Sequence, residues 1–191
     1  MTNLYECLFF VTGLVAAPLL ALAAMICLTS CRGRARRWLG WAATVFVATV
    51  VLLSGGNSLL ERFGLTWRNG VALGLCLVIL ASGLAGAALT LLCLLPRKMV
   101  DLAPVLRWTA KGGVTVCAGL VAFYGLTFGL IFTGLTYGAP ERVVEYQGQT
   151  LVEEKDSWLD TTYNYYEYHG PLVRGGEILD SSMDTPLGQG G

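Results

Sequence analysis

Four stretches of this chain, residues 8–30, 38–54, 70–95 and 113–137, contain no Asp, Glu, Lys, Arg or His. A helix needs about 20 apolar residues to cross the hydrocarbon core of a bilayer. Inside that core every backbone N–H and C=O must find its partner within the segment. These runs therefore predict an all-α membrane protein with four transmembrane helices. Composition agrees, because only 14% of the residues are charged, little more than half of the roughly 25% found in soluble domains. The second run is the shortest, and its flanking Leu59, Leu60 and Phe63 either extend it or form an interfacial stretch with Trp67.

The formal net charge of zero hides an asymmetry. Residues 1–138 hold ten Lys/Arg and three acids, whereas 139–191 hold three bases and ten acids. Such a split points to two environments. It places a transmembrane domain at 1–138, a small β-rich tail outside the membrane at 139–180, and an unstructured end at 181–191.

The connections set the orientation. Arg32, Arg34, Arg36 and Arg37 crowd the first, and Arg97, Lys98, Arg107 and Lys111 the third. The segment 55–69 has only Arg62 and Arg68, and no base precedes the first run. Short cytoplasmic loops collect Lys and Arg, so connections one and three are expected inside. Both termini and the second connection are then extracytoplasmic. In the third connection Met99, Val100, Leu102, Val105, Leu106 and Trp108 lie among the bases. That mixture reads as an amphipathic segment resting on anionic lipid.

Helices approach closely in lipid where side chains are small. Gly70 with Gly74 and Ser82 with Gly86 mark the third helix, and Gly125 with Gly129 and Gly134 with Gly138 mark the fourth. These spacings predict that helices three and four meet, within one chain or between two. Pro18 removes one backbone donor from the first helix and predicts a kink there. The six cysteines lie in or beside the apolar runs, which argues for small buried residues rather than a disulfide framework.

In the tail, 142–146 and 150–154 read as strands joined by Gln147-Gly148-Gln149, with a glycine available for positive φ. Residues 161–168 are dense in β-formers. Alternation puts Tyr163, Tyr165 and Glu167 on one face, and Thr162, Asn164, Tyr166 and Tyr168 on the other. After the turn at His169-Gly170-Pro171, residues 172–174 begin a fourth short strand. About 40 residues without disulfide or metal do not sustain a core alone. The sheet must lean on its own helix ends, a second copy or a partner. Three readings fit Tyr163, Tyr165, Tyr166 and Tyr168: building the sheet, touching a protein partner, or touching lipid headgroups. The run from Tyr165 to Gly175, YYEYHGPLVRG, resembles the end of a β-rich tail found in small uncharacterised bacterial membrane proteins, which implies a cell-envelope location and no particular activity.

No catalytic constellation emerges. His169 is the only histidine, and it stands in the tail, away from the membrane Cys and Ser residues, so no triad can be drawn. Glu167 and His169 make two metal ligands at best. The acid pairs Glu153/Glu154 and Asp156/Asp160 read as solvated charges. Phosphate-binding glycine loops are absent, and the arginines at 32–37 read as topology signals rather than a nucleic-acid surface. Ion pathways display ionisable groups inside the membrane, and these four runs have none. The expectation is a non-enzymatic membrane protein without cofactor or metal, its tail mediating protein contact or self-association. The alternative is an accessory subunit of a transport or export complex, docking through helices three and four.

Overall fold

The computed structural model describes residues 18–29, 33–94, 104–156 and 161–183. Its helices are α1 (Pro18–Thr29), α2 (Arg34–Glu61), α3 (Asn69–Leu94), α4 (Pro104–Tyr124) and α5 (Leu130–Tyr137). A five-residue π segment, Gly125–Gly129, joins α4 to α5 in one continuous helical run. Arg34–Glu61, Asn69–Leu94 and Trp108–Tyr137 are each long and apolar enough to cross a membrane. Of the first expected span, 8–17 and Ser30 lie outside the described residues, as does the turn that would show a kink at Pro18.

Two boundaries differ from the sequence reading. Expected at 38–54, with extension through Leu59 and Leu60 as one of two readings, α2 covers Arg34–Glu61 and so takes in 55–61 of what read as the second connection. It stops where Gly64 takes φ 68° and the Phe63 and Gly64 amides donate to the Leu60 and Glu61 carbonyls. A left-handed residue of this kind closes many helices. The fourth helix starts at Pro104 rather than 113, with proline in the first turn, where its missing N–H costs nothing.

Two compact units, both discontinuous in sequence, make up the chain: Met1–Ala48 with Val78–Leu130, and Thr49–Leu77 with Ile131–Gly191. In the first, Cys27, Leu39, Cys93 and Leu94 form a buried cluster with Leu28, Leu89 and Val114 packed on it. A second cluster gathers Leu20, Ala87 and Ala118. Together they tie α1, α2, α3 and α4. A Cβ added at Gly125 would lie 3.0 Å from Leu80 Cδ1, and one at Gly129 3.6 Å. Helix α3 therefore meets the π segment that follows α4 within one chain, through Leu80. Gly70, Gly74, Gly86 and Gly134 have nothing within 4 Å of an added Cβ, and Ser82 donates to Val78 and Ile79 of its own helix. Gly83, against Phe46 of α2, is the close contact on α3 in their place.

The second unit is built on a five-stranded antiparallel sheet: β1 (Leu65–Trp67), β2 (Glu141–Tyr146), β3 (Gln149–Asp156), β4 (Thr162–Tyr168) and β5 (Val173–Met183), ordered β1-β5-β4-β3-β2. Strands β2 to β5 form a meander. The β2–β3 hairpin turns on Gln147 and Gly148, both at positive φ (51° and 79°), the backbone sense that suits the twist of a two-residue hairpin. Strand β5 runs eleven residues, so 181–183, expected to be unstructured, belong to it. The largest departure is β1. It comes from the connection between α2 and α3, and it pairs Leu65, Thr66 and Trp67 with Gly175, Arg174 and Val173. One edge of the sheet is thus fastened to α2 and α3, and the other to α5.

Candidate functional site

Register sorts the sheet's side chains. Glu141 faces Glu154 across β2–β3, and Val152 faces Tyr166 across β3–β4, which places Glu141, Val152, Glu154 and Tyr166 on one face. Arg142, Glu153 and Tyr165 occupy the other. Both faces are covered in the middle of β3 and β4: Val152 and Tyr165 are 0% exposed, Glu153 4%, Tyr166 8% and Glu154 9%. The reading of Glu153 and Glu154 as solvated charges is therefore overturned. A carboxylate survives such burial only when it is paired and hydrogen-bonded, and both are.

On the Glu154 face the partners come from far along the chain. Arg174 Nη1 lies 2.9 Å from both Glu141 Oε1 and Glu154 Oε2. Its guanidinium carbon sits 3.8 Å from the centre of the Tyr166 ring, within cation–π range. Asn69 donates through Nδ2 to Glu154 Oε1 at 2.6 Å and to the Ala139 carbonyl at 3.2 Å. Arg68 Nε donates to Glu141 Oε2 at 2.9 Å, and the Asn69 amide to Glu141 Oε1 at 2.9 Å. Glu141 thereby caps α3, where a negative charge meets the positive end of the helix dipole. Two arginines balance two glutamates, with an asparagine and a tyrosine hydroxyl between them. The cluster joins the link between β1 and α3, the start of α3, β2, β3, β4 and β5.

On the opposite face Arg142 grips Glu153 through Nε (2.5 Å) and Nη2 (3.1 Å), and the Tyr165 hydroxyl donates to the same carboxylate at 3.1 Å. Sheet-building thus accounts for Tyr165 and Tyr166. Tyr163 and Tyr168 are half-buried, and Tyr163 lies beneath Lys155 Nζ at 6.0 Å. His169 contacts Glu167 at 3.2 Å in the open. No group of three or more metal-ligating side chains forms among the described residues.

Burial first, then the charge and hydrogen bond of Glu154, push the Tyr166 hydroxyl up from 10.0 to about 12. The folded chain therefore holds this proton more tightly than the unfolded one. Its contribution is complete below the ordinary tyrosine range and is lost as pH rises through about 12. Unfolding followed across that window should show stability falling by no more than about 3 kcal/mol. Tyr166→Phe should remove that part of the slope; an unchanged slope would detach Tyr166 from this cluster, a clamp of Arg174 and Arg68 on Glu141 and Glu154.

Beside Arg68 runs a cleft of about 310 Å³, walled by Val71, Leu73, Tyr137, Pro140 and Pro171. Its two charged lining residues, Arg68 and Glu141, are bonded to each other, so it offers no net charge to a ligand. Elsewhere in the unit, β5 pairs with β1 only through Gly175, and the Gly176 amide donates to the Gly64 carbonyl. From Glu177 to Met183 no described strand lies beside it on that side, and Ile178, Leu179 and Met183 are 55%, 56% and 76% exposed.

The remaining residues singled out by sequence fall as follows. Arg34, Arg36 and Arg37 begin α2, while Arg107 and Lys111 lie on α4. Arg32, Arg97 and Lys98 lie outside the described residues. Gly138 ends α5 with its amide on the Gly134 carbonyl at 2.8 Å. No protein-family model matches the chain, and no curated protein or solved structure matches it.

Proposed function

We propose that this chain is a non-catalytic integral membrane protein whose sheet lies outside the cytoplasm and mediates protein contact there, with another protein or with a second copy. The observation that carries this reading is the open length of β5. From Glu177 onward no described strand flanks β5 on that side, and natural proteins normally blunt an edge of this kind. Incoming strands use such edges for affinity and the flanking side chains for specificity. The sheet is fastened to helices at both edges, so it serves as a rigid platform rather than a loose tail. Sidedness follows from the bases: eight of the thirteen lie in the first and third connections or the helix turns beside them, the ends expected inside.

The test uses the full chain, because truncation after Tyr137 would strip Arg68 of Glu141. A photo-crosslinking side chain is placed at Ile178 or Leu179, and for comparison at Phe132, which is exposed on α5. Irradiation of intact cells should give discrete adducts from the two strand positions and none from Phe132. Adducts from Phe132 alone would move the contact to the helices and overturn the reading. Single cysteines at Gln149 and Ala35, in a variant otherwise free of cysteine, check sidedness. An impermeant maleimide should label the first and spare the second.

A further inference from the structure

The first turns of α2 carry a feature that the sheet's role leaves unexplained. Arg34, Arg37, Trp38 and Trp41 stand at i, i+3, i+4 and i+7, the spacing of one helix face. All four are exposed, the two indoles at 65% and 67%, and together they line an open cleft of about 280 Å³. Leu39, pointing elsewhere, is 1% exposed in the α1–α4 core, so this face of α2 is turned away from the protein's own packing.

Among the described residues neither guanidinium has an ion-pair partner. No acid occurs anywhere between Glu6 and Glu61. The unit that contains them (Met1–Ala48 with Val78–Leu130) has eight bases against the two acids Glu6 and Asp101, a net of six positive charges. Solvent can screen such charge at a soluble surface, but these residues stand at the end of a membrane span. Trp at that level sits among headgroups with its ring partly in the apolar layer. Arginine matches a phosphate with two parallel N–H donors.

We propose that Arg34, Arg37, Trp38 and Trp41 form a binding site for the headgroup of an anionic phospholipid. The two guanidiniums hold the phosphate from the helix end, and the indoles flank the glycerol region. Val45, one turn further along and 41% exposed, continues the stripe as an apolar track for an acyl chain. The site selects net negative lipid because a zwitterionic headgroup brings its own cation to the arginines.

The experiment is native mass spectrometry of the full-length chain in detergent, with phosphatidylglycerol and phosphatidylcholine of identical acyl chains supplied equally. The parent should retain phosphatidylglycerol with a preference of about tenfold or more, the scale set by two basic residues at a lipid surface. Arg34→Gln with Arg37→Gln should bring the preference close to unity. Arg36→Gln, one charge fewer but off the stripe, should keep it. Equal retention of both lipids by the parent would overturn the proposal. So would loss of preference in Arg36→Gln as complete as in the pair, since a general positive field would then suffice. Displacement of the lipid by excess inorganic phosphate would overturn it as well, by showing a site for the free anion.

Discussion

Replacing Arg174 with methionine is expected to destabilise the sheet-bearing unit by about 3–5 kcal/mol, the cost of leaving a buried charge without its partner. Arg174 is 7% exposed and bridges two carboxylates whose side chains are 5% and 12% exposed. Without it Glu141 and Glu154 share one cation, Arg68, and the cluster carries an uncompensated negative charge away from water. Tyr166 also loses the guanidinium over its ring. Arg174→Lys should fall between parent and methionine variant, because an ammonium cannot bond two carboxylates and lie flat on an aromatic ring at once. Arg174→Met combined with Glu154→Met restores the balance, leaving Arg68 with Glu141. That double variant should be more stable than Arg174→Met alone by at least about 1 kcal/mol. Chemical unfolding in detergent micelles, followed by near-UV circular dichroism of the tyrosines, measures all of these. A methionine variant within about 1 kcal/mol of the parent would mean that the clamp does not hold the sheet.

Gly55 and Gly56 are neighbours in α2, yet alanine should act on them in opposite directions. Helix propensity alone favours both replacements by up to about 1 kcal/mol. At Gly55 nothing lies within 4 Å of an added Cβ, so that gain should appear. At Gly56 the Cβ would stand 2.5 Å from Cζ2 of Trp67 and 3.1 Å from Cε2. These are ring atoms of a side chain on β1, whose indole nitrogen is buried. The ring has no flexible end to swing away, and moving it drags on β1, which holds the edge of β5. Overpacking of this kind costs about 1–3 kcal/mol, enough to outweigh propensity. Gly56→Ala should therefore lower stability and shift the Trp67 emission. In a Trp67→Phe background, where the offending atoms are gone, the penalty should disappear. Equal effects at the two glycines would sink the claim that Trp67 packs on α2.

Hydropathy revealed three long spans because a bilayer core strongly disfavours charged side chains, and the runs at 38–54, 70–95 and 113–137 have none. It was weaker at their ends: Arg34–Arg37 holds three arginines and hides the start of α2, while Leu59 and Leu60 hinted at its continuation without deciding it. Strands β2, β3 and β4 were legible from β-formers around a Gln-Gly turn and from the alternation of the tyrosines. The second half of β5 was not, since Asp180-Ser181-Ser182 has the composition of a loose end, and only pairing with β4 extends it. Strand β1 is three residues long, too short for any periodicity. The clamp escaped for a related reason. Its hydrogen bonds join residues 72, 85 and 105 positions apart, so no local spacing announces them, and adjacent glutamates read as a wet surface. One signal was available: Arg68-Asn69 immediately before a charge-free run, where an unsatisfied helix N-terminus calls for a carboxylate.

Strand order has a consequence for how the molecule is made. The position between β1 and β4 belongs to β5, the last of the described strands, while β1 emerges from the ribosome more than a hundred residues earlier. Throughout that interval the Trp67 edge lacks β5, and Glu141 and Glu154 have no Arg174. Pairing of β5 with β1 therefore waits until residues 173–175 have been made. A product that stalls earlier displays an unpaired edge and unbalanced acids.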